Sequence, residues 1–480
     1  MQTPPRLGAG SNPAALRCPG RALALGIDLG TSTVKVALME ETYEGPTIIQ
    51  RASKETQAQV ESQAAGRQGN EQDVRKIVAA LHGCLSALSP QQLREVRHIG
   101  ICGQMHGLVF WKADRGCKWT GQSFEPDEVS HLITWQDGRC TSSFLSSLPL
   151  PRSHLSVATG FGCATIFWYL RNSPDFLKHY DAAGTIQDYV VAMLCGLKRP
   201  RMSSQNAASW GYFNTTQKTW NTDILGESHF PVHLLPEVVD PGAPAGETCS
   251  GWYAIPKGTE VGAALGDCQC SVYSCLPESS DAVLNIGTSA QLTILAPLGF
   301  LPGESPDPDS PVTYYPYFGN RYLTVAASLN GGNVLATFVD MLVGWMAELG
   351  LQVPRSTLYQ QLIHAALAQG DTALSVCPTI YGERHRPEQQ GSVTHIAASN
   401  LSLGHVTRAL CRGVVQNLHS MMPSQRLMEA GKRQILASGS ALSRNEVLRQ
   451  EVNSAYPFRV VYGVAMDAAI GAALAMLHRK

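Results

Sequence analysis

The chain carries one short pattern twice: an apolar run, a Gly-Thr-Ser turn and a second apolar run. It stands first in ALALGIDLGTSTVKVALME, Ala22 to Glu40, and again some 250 residues later in DAVLNIGTSAQLTIL, Asp281 to Leu295. In each copy the apolar alternation resumes beyond the turn, which reads as two strands joined at a tight tip. Two related hairpins, one in each half, predict two similar lobes facing one another across a cleft. Both halves mix short strands (VRHIGICGQ, RYLTVAASL, RQILASGSA) with helical stretches (LYQQLIHAALAQ, HVTRALCRGVVQNLHSMM, DAAIGAALAMLHRK). That alternation is α/β. The last helix carries Ala and Gly at close spacing and is expected to pack tightly beneath the site.

At 480 residues the chain exceeds one core of ordinary size, so two domains are expected. Residues 1–21, rich in Pro, Gly and Ala with three Arg and no acid, read as a flexible extension, a transit peptide being the alternative. Residues 22–278 form the first expected lobe and 279–480 the second. The Pro- and Gly-dense stretch from Leu298 to Asn320 reads as a surface loop, and Lys54 to Asp73 as a polar loop running into a helix. With 37 basic and 38 acidic residues, nothing draws the chain as a whole to nucleic acid or an anionic membrane. No apolar run approaches the roughly 20 residues of a membrane-spanning helix. Thirteen scattered cysteines without a C-x-x-C pair predict reduced thiols in a cytoplasmic setting. Cys268 and Cys270 read as inert, because zinc sites normally assemble four ligands.

The tips themselves suggest chemistry. Exposed backbone N–H groups at Gly30, the hydroxyls of Thr31, Ser32 and Thr33, and the amine of Lys35 suit phosphate oxygens. Asp28 lies in an otherwise apolar strand, where an unpaired carboxylate is costly. Its expected partner is a hydrated Mg²⁺ bridging those phosphates. The second tip, Gly287, Thr288 and Ser289, would grip the same polyphosphate from the opposite side. The P-loop and protein-kinase signatures are missing, so a nucleotide enzyme of this sequence needs another architecture.

GIDLGTSTVK and NIGTSA resemble the two phosphate motifs of the hexokinase–actin–Hsp70 superfamily, whose paired lobes have ribonuclease-H-like cores. Within it, GICGQMHG, WQDGRC, ALGDCQ, GERH and SGSALSRN, in that order from about Leu23 onward, resemble the FGGY carbohydrate kinases. Q-M-H-G is shared with the branch acting on the five-carbon ketose xylulose. HLSVATGFGCATIFW, SQNAASWGYFN and SLNGGNVLATFV resemble the branch acting on the seven-carbon ketose sedoheptulose.

The resemblance implies an ATP- and Mg²⁺-dependent kinase that phosphorylates the terminal primary hydroxyl of a small-molecule ketose, with sedoheptulose favoured over xylulose. It places the general base at Asp267, a residue that by itself could equally cap the following helix. Gln104, Met105 and His106 would meet the sugar. Asp137 and Arg139 would join them, unless they pair with each other on the surface. Trp135 either covers the sugar's apolar face or fills core. Gly439, Ser440 and Asn445, in a turn before a helix starting near Ser443, would hold the adenosine, with Gly331, Gly332 and Asn333 nearby. Asp467 reads as an N-cap or hinge residue, and Glu383 with Arg384 as a structural or hinge ion pair. The rival class is an actin- or Hsp70-like nucleotide switch, in which GQMHG and WQDGR would have no purpose.

Overall fold

The computed structural model describes residues 23–275 and 278–478. The expected N-terminal extension lies outside them. The elements that build the first lobe are β1 (Leu23–Leu29), β2 (Thr33–Thr42), β3 (Gly45–Glu55), α1 (Val74–Ser86), β4 (Val96–Gly103), α2 (Gly162–Asn172) and α3 (Ser204–Trp210). They are followed by β5 (Pro244–Glu247), β6 (Glu260–Gly262), β7 (Leu265–Gly266) and α4 (Asp267–Ser274). The second lobe has β8 (Asp281–Ile286), β9 (Ala290–Leu295), β10 (Thr313–Pro316), β11 (Tyr322–Ser328), α5 (Gly332–Glu348), α6 (Arg355–Gln369) and α7 (Leu403–Met421). The chain continues through β12 (Gln434–Ser438), α8 (Ser440–Arg444), α9 (Glu446–Ala455), β13 (Arg459–Tyr462) and α10 (Ala468–Leu477).

The duplication read from the two turns extends to whole sheets. The first runs β5-β6-β4-β1-β2-β3 and the second β10-β11-β9-β8-β12-β13. Each has an antiparallel hairpin (β1–β2, β8–β9) whose first strand also pairs in parallel with a later strand, β4 or β12. Another parallel strand follows, β6 or β13. The architecture is mixed α/β in two ribonuclease-H-like lobes.

Side-chain size along β1 explains how the first sheet is covered. Successive residues of a strand point to opposite faces. Leu23, Leu25, Ile27 and Leu29 enter one apolar core with Ile77 and Leu81 of α1. Ala24 and Gly26 lie on the other face, where α10 returns from the far end of the chain and packs on β1, β2 and β4. A Cβ at Gly26 would stand 1.8 Å from the Ala469 carbonyl oxygen, and one at Gly100 would stand 2.1 Å from that of Ala472. Only glycine permits this approach. Asp28 ends the small-residue face, beside the N-terminus of α10.

Two loop expectations are corrected. Thr313–Pro316 inside the Pro-rich stretch is a strand on β11. Gln59–Val60 and Glu71–Gln72 inside the polar stretch join Leu132–Ile133 in a small sheet. Among the described residues no helix is long and apolar enough to cross a membrane.

Candidate active site

Three acidic side chains converge at the end of the first sheet. Asp28 is the penultimate residue of β1, opposite Lys35 of β2 and Cys102 of β4. Asp267 opens α4, and Asp467 caps α10 by accepting from Ala469 N at 3.0 Å. Asp28 is buried, and its carboxyl is pushed up to about 8, first by desolvation and then by the charge of Asp267. Asp467 adds to the rise, while Lys35 opposes it. Burial also pushes Asp267 up to about 6, against the pull of the Cys268 N–H and of Lys35. Asp267 Oδ1 accepts from Cys268 N at 2.7 Å, which anchors the side chain at the start of the helix.

Asp267 faces the other lobe. With Cys268, Ser271 and Val272 it lines a cavity of about 190 Å³, whose opposite wall is Val283 and Asn285 of β8 and Gln291 and Thr293 of β9. Asn285 and Gln291 form a cross-strand pair on the hairpin that carries the second Gly-Thr-Ser turn.

Beyond that hairpin lies a larger cavity of about 750 Å³. Gly287, Thr288, Asn333, Ser440 and Asn445, all singled out from the sequence, line it together. The turn is held by Gly332 N and Asn333 N, which donate to Gly287 O at 2.9 Å and Thr288 O at 3.0 Å. Gly439 has φ 112°, and a Cβ there would stand 2.2 Å from Ile286 O, so this turn needs glycine. Two corrections follow. The helix begins at Ser440 rather than Ser443, and Asn445 is the cap of a second helix, its side-chain oxygen accepting from Val447 N and Leu448 N. The Asn333 amide is likewise engaged, with Leu329 O and Gly331 N. Sequence reasoning missed the far wall, Arg355, Tyr359 and Gln360 of α6, because the N-terminal turn of that helix carries no motif.

The sugar-side residues stand apart from this cavity. Met105 packs beside Gly266, next to Asp267. Gln104 donates to Gln72 Oε1, leaving its own oxygen buried without a partner. His106 adopts φ 73°, stacks on Phe161 at 4.4 Å between ring centroids, and places Nδ1 2.9 Å from Ser209 O. A carbonyl only accepts, so Nδ1 carries the proton and Nε2 is left as an acceptor. Burial, reinforced by the charge of Arg384, pushes this imidazole down to about 3 and keeps it neutral.

Asp137 and Arg139, expected to meet the sugar or else to pair on the surface, do pair with each other but are fully buried. Arg139 Nε lies 2.8 Å from Asp137 Oδ1, Nη2 donates to Glu71 at 2.7 Å, and Nη1 donates to the Tyr169 hydroxyl at 2.9 Å. Asp137 Oδ2 also accepts from Asn70 N. A buried ion pair holds only when its remaining polar atoms are satisfied, and here the partners are internal. These two residues brace the wall and do not present free groups to a ligand. Trp135 is half-buried, and its indole N–H donates to Thr31 Oγ1 at 3.0 Å, tying this wall to the first turn. That turn closes through Gly30 N to Thr33 O at 3.2 Å. Thr31, Ser32 and Thr33 form no part of the walls of the two cavities.

The expected Glu383–Arg384 ion pair is also corrected. The Glu383 carboxylate is buried and accepts from Ser328 Oγ, Leu329 N, Asn330 Nδ2 and Asn417 Nδ2. Arg384 is exposed.

A desolvated carboxylate between two duplicated lobes, with a polar cavity on one side and a neutral imidazole on the other, defines a phosphotransferase of the sugar-kinase type. Residues 23–273 match the N-terminal domain of the FGGY family of carbohydrate kinases, and the chain belongs to that family. It is 62% identical over 466 residues to sedoheptulokinase of Mus musculus, covering 96% of this chain and 98% of that protein. It is 61% identical over 468 residues to sedoheptulokinase of Homo sapiens, covering 96% and 98%. In fold it is similar to xylulose kinase from Rhodospirillum rubrum, with a TM-score of 0.77 at 17% identity over 95% of this chain and 89% of that one. Membership makes ATP the co-substrate and a carbohydrate the acceptor.

Proposed function

We propose that the chain transfers the terminal phosphoryl group of ATP to the terminal primary hydroxyl of sedoheptulose, giving the 7-phosphate. The placement of Asp267 carries the chemistry: a desolvated carboxylate with one oxygen held by backbone, facing an interlobe cavity. The identity to two sedoheptulokinases over nearly the whole chain supports the choice of sugar.

In this reading the ketose lies over Met105, and His106 Nε2 accepts from one of its hydroxyls. Asp267 orients the primary hydroxyl and takes its proton as the new O–P bond forms and the bond to the ADP oxygen breaks. Thr288 and Gly287 hold phosphate, Ser440 and the α6 wall hold the nucleoside, and Thr31, Thr33 and Lys35 approach the phosphates from the first lobe. Residues 22–278 and 279–480 act as the two lobes, with α10 lent back to the first.

We propose that Mg²⁺ accompanies the nucleotide, held jointly by protein and phosphate, since among the described residues no group of three or more His, Cys, Asp or Glu side chains is arranged to hold a metal ion alone. Asp28 is a buried carboxylate beside two other carboxylates, an arrangement that a divalent cation would relieve. Asp28 would hold it, and the ion would neutralise phosphate charge. Unpaired cysteines at all twelve described positions support a reducing, cytoplasmic setting.

A coupled ADP-release assay over a panel of ketoses tests the proposal. The highest kcat/KM is expected with sedoheptulose. ATP turnover indifferent to every sugar would replace this reading with a nucleotide switch.

A further inference from the structure

The two hairpins correspond residue by residue, and the correspondence reaches a side chain to which the site as described gives no task. Asp28 stands two residues before Gly30, pairs with Lys35 across its hairpin and lies opposite Cys102 on the parallel strand β4. Asn285 stands two residues before Gly287, pairs with Gln291 across its hairpin and lies opposite Ser438 on the parallel strand β12. Cys102 and Ser438 are each followed by glycine, Gly103 and Gly439. Asn285 is therefore the second lobe's counterpart of Asp28, with a neutral carboxamide where the first lobe has a carboxylate.

The surroundings leave that carboxamide available. Asn285 is half-buried and, among the described residues, its side chain makes no hydrogen bond. Its cross-strand partner is committed. Gln291 Nε2 donates across the cleft to Cys268 Sγ at 3.1 Å, and to Thr293 Oγ1 at 3.1 Å. Cross-strand partners share one face of the sheet. The face that carries Asn285 is thus held against the start of α4, beside Asp267.

Its position points to a ligand. Asn285 lines the cavity of about 190 Å³ whose facing wall begins at Asp267. It also abuts the turn into the larger cavity: a Cβ at Gly439 would stand 2.7 Å from Asn285 Oδ1, and Ser440 lines that cavity. A phosphate chain running from the larger cavity to a hydroxyl at Asp267 passes between these two places. With Oδ1 turned to Gly439, Nδ2 is the atom left to meet it. A carboxamide N–H donates to a phosphoryl oxygen, whereas a carboxylate there would only accept and would repel the anion.

We propose that Asn285 is a further catalytic residue, whose Nδ2 donates to a non-bridging oxygen of the phosphoryl group in transit, from the lobe opposite Asp28. No proton or covalent bond passes to Asn285. It holds the charge spread over the equatorial oxygens as the group moves from ADP to the sugar. The inference rests on the kinase reading above.

Its test compares Asn285→Ala and Asn285→Asp with the native enzyme in kcat, KM for each substrate and equilibrium binding of ADP. Asn285→Ala is expected to lower kcat about 10²–10³-fold, the usual cost of one such donor, with KM for the ketose and Kd for ADP within about threefold. Asn285→Asp keeps the shape and is expected to lose at least as much, because a charge replaces the donor. Near-native kcat in either variant overturns the inference. So does a loss of ADP affinity as large as the loss in turnover, which would put Asn285 on the nucleotide wall. Loss of the folded circular-dichroism spectrum in both variants assigns the side chain to the fold and also overturns it. In each of these cases a native enzyme that phosphorylates the ketose leaves the kinase reading intact. A native enzyme that turns over no ketose overturns both.

Discussion

Asp28 and Asp267, on different elements of the first lobe, are close enough that the charge of one holds the proton on the other. Two carboxylates so placed do not both ionise readily in a buried site. Their environments nevertheless separate them, to about 8 for Asp28 and about 6 for Asp267. These values leave Asp267 mainly ionised and Asp28 mainly protonated near neutral pH, as the proposed base and the proposed cation ligand require.

Asp267→Asn removes the proposed proton acceptor while keeping the shape and the contact to Cys268 N. A loss of about 10²–10⁴-fold in kcat is expected, with an unchanged circular-dichroism spectrum. Near-normal turnover by well-folded variant would strip Asp267 of its role.

The acid limb of the pH–rate profile follows from the same group. The base must be ionised, so kcat/KM should rise with pH and reach half its plateau near pH 6. A limb centred near the ordinary aspartate value of 3.8 would show that burial does not act as described.

Asp28 makes the opposite kind of prediction, about stability. Its folded value lies above the unfolded one, so the folded state holds the extra proton and loses stability as pH rises from about 4 through 8. In the absence of divalent cation, Asp28→Asn should match the native protein in Tm at pH 4. It should exceed the native Tm by at least about 1 °C at pH 8 to 9, the shift that about 1 kcal/mol produces in a chain this size. Equal melting temperatures at both ends of that range would contradict the burial argument. Calorimetric proton release on adding Mg²⁺ would check the cation's place directly.

The second turn should act on the nucleotide alone. Thr288→Ala is expected to raise KM for ATP about 3–10-fold, one lost hydrogen bond, with KM for the ketose within twofold of the native value. Parallel shifts in both constants would place Thr288 elsewhere in the mechanism.

Much of this was legible because the strand period is two and the hairpin tips are polar. Alternation about Gly30 and Gly287 gave both hairpins, and the residues after them gave the wall of the large cavity. What stayed hidden depends on partners distant in sequence. Asp137 and Arg139 look like a surface pair until Glu71 and Tyr169, 68 and 30 residues from Arg139, are brought against them. Glu383 and Arg384 look like an ion pair until Asn330 and Asn417 occupy the carboxylate. Asn445 reads as a ligand because its motif is a ligand motif, yet its amide is needed by the backbone of the next helix. Local pattern identifies a group, and tertiary competition decides which bond it makes.

The return of α10 to the first sheet sets the timetable of biosynthesis. A ribosome releases β1 long before the helix that seats on Gly26 and Gly100, with Gly471 pressed 1.8 Å (as a Cβ) from Cys270 O between them. The half of the enzyme that emerges first must therefore wait, one flank bare, until residues 468–477 have followed it.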